Sequence, residues 1–287
     1  MKSTFNSLGE VLYAMRVRRN MSIDDLHVDC SRSTISRFEN STSSPSIDNV
    51  TSMFAGVHAN LKEPLTLVNI PNQTNDTWQL LQQAILTENP HLLLHEMHRL
   101  QLESDSISQL LYSLLAAYHA YLLDNVRSGK IESLTKCLLA DGPWFDLEFE
   151  LFSVGIYLTA ESDFSALIDR AIHELAQYPS YDHEDNLMIG LYNAAVRAAE
   201  DKKPKTALYL INVLNGIKPP TLSLSLRYRI TMVTLALTYN AIPDLQDAAL
   251  AKIKTIFAAL KVLSAEDLMS ADIQWLQKIG VPVTEID

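Results

Sequence analysis

Leu8, Val11, Leu12 and Met15 recur three and four residues apart, which is the spacing of one helix face. Arg16, Arg18 and Arg19 gather where that helix ends. The run Ser22-Ile-Asp-Asp25 then sets a hydroxyl beside the first free N–H groups of a helix, with an acid three residues on. This pattern predicts a second helix over 22–30. Ser31 caps a third in the same way over 31–39, with Ile35 and Phe38 on one side and small hydroxyls and arginines on the other. A polar stretch, Asn-Ser-Thr-Ser-Ser-Pro, stops it. Ser46 opens a further helix carrying Ile47, Val50, Met53, Phe54 and Val57, and a short helix near 60–67 closes a five-helix N-terminal domain, 1–69.

From Thr74 onward the pattern is helical almost throughout. It predicts helices near 76–87, 90–103, 106–126, 130–140, 146–160, 163–177, 184–199, 203–216, 221–240, 244–262 and 265–278. Pairs such as Asn89-Pro90, Ser128-Gly129, Lys203-Pro204 and Pro219-Pro220 punctuate them. No segment alternates with period two for long. Short connections make neighbouring helices antiparallel, and a series of such pairs stacks into an α-solenoid. No clean repeat of about 34 residues marks the stacking, which rests on helix lengths alone. The fold class expected is therefore all-α: a five-helix domain, then a tetratricopeptide-like solenoid over 70–287. The stretch 64–76, with Ile70-Pro71-Asn72-Gln73, is the linker candidate.

Charge sharpens the division. Residues 1–62 hold seven Lys/Arg against six Asp/Glu, a net of +1, whereas the remainder nets −12. An acidic body cannot coat a nucleic acid, so any DNA contact is local to the N-terminal segment, where the arginines are placed rather than massed. The N-terminus lacks a basic region followed by an apolar core, which argues against a secretory signal. The longest apolar run, Leu110 to Leu123, contains Tyr112, Ser113, Tyr118 and His119, and reads as a buried helix rather than a membrane span. Cys30 and Cys137 follow no ligand or disulfide spacing, and read as buried small hydrophobes.

The segment 22–39 reads as a helix-turn-helix. Arg32, Ser33 and Arg37 fall on the outward side of its second helix; arginine can grip guanine with two hydrogen bonds, and serine can donate to or accept from several bases. The bland alternative is a solvated surface helix. Arg18, Arg19 and Ser22 are candidates for phosphate contact. Arg16 is read differently, as an ion pair with Glu39 that ties the helices together.

His91, His95 and His98 share a helix face, but His95-Glu-Met-His98 lacks the spacing of a zinc protease, and the face reads as a polar stripe. No metal or cofactor is expected. Ser128-Gly-Lys130 lacks the upstream glycine of a phosphate loop, and no Gly-x-Ser-x-Gly occurs. The chain does not read as an enzyme.

The body carries polar and aromatic groups suited to an extended peptide: Tyr157, Tyr192, Asn193, Asn212, Tyr228, Arg229, Tyr239 and Asn240. Asparagine can pair with both donors and acceptors of a peptide backbone, and arginine can hold a carboxylate. A groove on the concave face is expected to involve Tyr157, Asn193, Tyr228 and Arg229, each of which could equally be a surface or capping residue. Acidic surroundings favour an apolar or basic peptide.

Ser31-Arg-Ser-Thr-Ile-Ser-Arg-Phe-Glu39, Pro45-Ser-Ile-Asp-Asn-Val50 and Leu61-Lys-Glu63 resemble the Rgg/GadR/MutR family of transcription regulators, which carry an XRE-type DNA-binding domain. Pro143-Trp-Phe-Asp-Leu-Glu-Phe-Glu-Leu-Phe152 is similar to a stretch of the family's C-terminal domain, and Asn193 and the segment Ala207 to Leu214 also fit. The resemblance implies a cytoplasmic homodimer that reads a double-stranded DNA operator. Its tetratricopeptide-like domain would bind a short imported peptide pheromone, as in quorum sensing. It implies that Arg32, Ser33, Thr34 and Arg37 face DNA and that Arg16 and Glu39 pair. Two departures stand out: the turn before Ser31 is about two residues short, and Asn40-Ser41 replaces the usual glycine, so that Asn40 is expected in a left-handed cap. A different reading is a ligand-independent scaffold with a vestigial helix-turn-helix.

Overall fold

The computed structural model describes residues 5–68, 73–124, 131–177, 179–217 and 224–283. Among these the architecture is all-helical, the one extended pairing being an isolated bridge between Phe5 and Val68. The chain forms two compact units, one ending at Trp78 and the other starting at Gln79, a boundary inside helix α5 (Gln73–Leu86). The sequence pattern places the division between 69 and 70, a few residues before this helix.

The first unit contains α1 (Leu8–Arg18), α2 (Arg32–Glu39), α3 (Ile47–Gly56) and α4 (Lys62–Leu67). Serines cap three of them: Ser7, Ser31 and Ser46 each accept from the backbone N–H three residues on. Val11, Leu12, Leu26, Ile35, Phe38, Val50, Met53, Phe54 and Val57 bury one core between them. Two glycines allow the close packing. A β-carbon on Gly9 would lie 1.8 Å from the Phe38 carbonyl oxygen, and one on Gly56 would lie 2.5 Å from that of Leu26.

The helix expected over 22–30 is not there. A single 3-10 turn, Asp24–Leu26, takes its place, and His27 follows in the left-handed region at φ 49°. The Asp25 carboxylate does accept from the Ser22 N–H at 2.6 Å, but the Ser22 hydroxyl donates to that carboxylate instead of accepting from a helix N–H. Buried Leu26 and the Ser31 cap leave four residues between them, too few to finish a helix and turn back. The short turn thus shortens the helix before it. Asn40 is not left-handed either: Ser41 is, at φ 56°. Thr42 N–H reaches the Arg37 carbonyl at 2.8 Å, so the helix closes one residue later than expected.

The second unit continues through α6 (Leu94–Leu102), α7 (Ser106–Asp124), α8 (Glu132–Leu138), α9 (Asp146–Gly155), α10 (Phe164–Gln177), α11 (Tyr181–Glu200), α12 (Pro204–Gly216), α13 (Leu224–Ala241), α14 (Gln246–Val262) and α15 (Glu266–Lys278). These follow the predicted helices closely. α7 packs on α6, α11 on α9 and on α13, α12 on α13, and α13 on α14, as successive helix pairs do in a solenoid. Buried Trp144 ties α8, α9 and α10 together. Its indole N–H donates to the Leu138 carbonyl at 3.0 Å, its backbone N–H donates to buried Glu174 at 2.9 Å, and its ring meets Phe149 edge-on at 5.3 Å. Among the described residues no helix is long and apolar enough to cross a membrane.

Candidate nucleic-acid interface and ligand groove

In the first unit α2 is held from behind. Arg16 donates to both Glu39 carboxylate oxygens at 2.7 Å and to the Met21 carbonyl at 2.8 Å. The two side chains are 11% and 5% exposed. Hydrogen bonding to Glu39 holds the Arg16 guanidinium above its ordinary pKa. One two-forked contact therefore fixes the end of α1, the end of α2 and the chain entering the turn.

The opposite face of α2 is open. Arg32, Ser33 and Arg37 are exposed and Thr34 is half-buried. Ser31 Oγ lies 2.8 Å from Ser33 Oγ and 2.9 Å from Thr34 Oγ1, so three hydroxyls cluster at the helix N-terminus. Arg37 Nε donates to the Ser33 carbonyl at 3.1 Å. Arg32 Nε pairs with Asp24 at 2.9 Å, across the turn. Sequence reasoning missed Asp24; the adjacent acids Asp24-Asp25 were the signal, and only Asp25 was put to use. Its carboxyl is kept below the usual range by the Ser22 hydroxyl and N–H. Arg18, Arg19 and Ser22 are exposed as well, but a guanidinium N–H of Arg19 donates to the Val57 carbonyl, which commits it in part to holding α3.

In the second unit the four proposed groove residues fall on two seams. Tyr157 and Asn193 sit between α9 and α11. Asn193 donates to the Ser153 carbonyl at 2.7 Å. The Tyr157 hydroxyl lies 2.7 Å from that of Tyr121 and 2.8 Å from Glu200, and its carbonyl accepts from Arg197 at 2.7 Å. Their polar atoms tie helices together. Tyr228 and Arg229 sit on α13. The Tyr228 hydroxyl donates to Asp272 of α15, and Arg229 lies over the Tyr192 ring at 5.9 Å. Burial, then the Asp272 bond, pushes the Tyr228 phenol pKa far up; burial also raises Asp272. Arg229 alone of the four is exposed.

A cavity of about 370 Å³ lies elsewhere in this unit, its lining including Ala199, Lys202, Ala207, Leu237 and Asn240; none of the four lines it. His91, His95 and His98 are all exposed. Among the described residues no three His, Cys, Asp or Glu side chains are grouped closely enough to hold a metal ion. Cys30 and Cys137 are half-buried free thiols, and burial raises both pKa values.

Searches with the sequence found no matching family model and no matching curated protein. Solved structures do match. A candidate transcriptional regulator from Listeria monocytogenes EGD-e superposes with a TM-score of 0.77 at 17% identity, covering 96% of this chain and 99% of that one. The SHP pheromone receptor Rgg2 of Streptococcus dysgalactiae gives 0.74 at 14% identity, over 95% and 99%. A bacterial peptide pheromone/receptor complex gives 0.73 at 18% identity, over 96% and 99%. Nearly the whole chain therefore has the fold shared by these proteins.

Proposed function

We propose that this chain is a cytoplasmic, dimeric, sequence-specific transcription regulator whose helical body binds a short peptide. The observation that carries the reading is α2. It is a short helix clamped from behind by Arg16 and Glu39, with two arginines and a cluster of hydroxyls on its open face. A core-facing side of Ile35 and Phe38 and an outward side of Arg32, Ser33 and Arg37 suit insertion into a major groove. The outward arginines stand in the one segment of the chain that is not strongly acidic.

A single helix reads too few base pairs for selectivity, and a two-fold dimer doubles the contact with half-sites about 34 Å apart or a multiple of that. We assign the dimer contact to the helical body. The peptide assignment is supported by neighbours of the same fold named as pheromone receptors. A peptide could act only by favouring one arrangement of the dimer over another, so its differential affinity sets the size of the switch.

The test is DNA binding by Arg32→Ala and Arg37→Ala. Each is expected to weaken operator binding by about 1–3 kcal/mol with the fold intact. Unchanged binding by both would remove α2 from the reading role and leave the scaffold reading in its place.

A further inference from the structure

Asp24 and Asp25 are neighbours with different tasks. Asp25 turns back onto Ser22 and closes the 3-10 turn. Asp24 faces α2, its Oδ1 2.9 Å from Arg32 Nε, with the two side chains 56% and 73% exposed. An ion pair this exposed adds little to stability. An acid at the edge of a DNA-facing surface also repels phosphate. Its placement needs another reason.

The geometry of Arg32 supplies one. Asp24 Oδ1 pairs with Nε, and among the described residues no other contact engages the guanidinium, so its two terminal nitrogens remain available to a ligand. Those are the donors that fit O6 and N7 of guanine end-on. Arg37 also has a partner at Nε, though a backbone one: it donates to the Ser33 carbonyl at 3.1 Å. A partner at Nε narrows the range of positions each long side chain takes before DNA arrives, which lowers the entropy lost on binding. The Asp24 end of the support is itself fixed: Leu26, two residues on, is buried, and its carbonyl lies against Gly56 too closely for a β-carbon there.

We propose that Asp24 is a positioning residue that sets base specificity through Arg32, making the operator position faced by the start of α2 a guanine. The proposal rests on α2 being the reading helix.

The full-length protein, Asp24→Ala, Asp24→Asn and Asp24→Glu are each used to select duplexes from a randomised pool, and base preference is counted position by position. Asp24→Ala and Asp24→Asn are expected to lose guanine preference about fivefold or more at one position per half-site. Other positions should keep theirs, melting temperature should stay unchanged, and Asp24→Glu should restore part of the preference. A merely structural pair would not move one position alone. Wild-type base preference in both Asp24→Ala and Asp24→Asn, or a uniform loss at all positions, overturns the proposal. A wild-type protein with no base preference overturns the reading of α2 itself, and is a distinct result because it appears before any variant is tested.

Discussion

Arg16 and Glu39 meet through two hydrogen bonds of 2.7 Å, at a place where neither has much access to water. Removing one partner leaves the other charge buried and unpaired, which costs far more than the pair contributes. Glu39→Ala is expected to destabilise the first unit by about 2–3 kcal/mol, toward the lower end for a buried pair because the Arg16 side chain keeps an 11% opening to solvent. Urea unfolding of the full chain, followed by a probe in the first unit, measures it. A change below about 0.5 kcal/mol would place the pair among ordinary surface contacts.

Gly9 makes a second prediction of opposite sign to helix propensity. Alanine inside a helix is favoured over glycine by about 1 kcal/mol. Here its β-carbon would strike the Phe38 carbonyl, a backbone atom that cannot swing aside. Gly9→Ala should therefore lower stability by about 1–3 kcal/mol as α1 and α2 are pushed apart. A variant more stable than the parent would show that the two helices do not pack this closely.

Asp272 links stability to pH. Burial raises its pKa in the folded chain, so its favourable contribution is complete below the unfolded value and is lost as pH rises through the folded one. Above that range its burial opposes folding. Asp272→Asn, which can still accept from the Tyr228 hydroxyl, should raise the unfolding midpoint at pH 7. The gain should shrink as pH falls through the carboxylate range. A gain that grows toward acid would reverse the assignment.

Arg229 and Asn193 separate a ligand contact from an architectural one. Arg229 is exposed, whereas Asn193 satisfies the Ser153 carbonyl. Arg229→Ala should lower melting only slightly, through its lost contacts with Tyr192 and Asp272, and weaken a carboxylate-bearing peptide encoded beside the gene by roughly tenfold in calorimetry. Asn193→Ala should lower the melting temperature, through about 1–3 kcal/mol for an abandoned acceptor. Undiminished peptide affinity in Arg229→Ala would take that residue out of the groove.

Much of this fold was legible because helical spacing and serine caps are local signals. Ser31 and Ser46 announce α2 and α3, and Ile35 and Phe38 name the buried side. The turn was not legible. Ser22-Ile-Asp-Asp25 has the residues of a capping box, but whether a helix follows depends on how far Leu26 lies from the Ser31 cap once both are fixed by packing, a tertiary constraint. Left-handed Ser41 in place of Asn40 has the same origin: where Thr42 and the Arg37 carbonyl meet decides which residue turns. The groove was least legible. Tyr157, Asn193 and Tyr228 have the chemistry of ligand contacts, yet the same chemistry ties neighbouring helices, and only packing separates the two.

The central claim is that α2 reads base sequence, and duplex selection followed by titration tests it most directly. The full-length protein, at physiological salt, should enrich a defined two-half-site duplex and bind it at least about a thousandfold more tightly than a scrambled duplex of equal length. Enrichment of no sequence, or equal affinity for selected and scrambled duplexes, would contradict it.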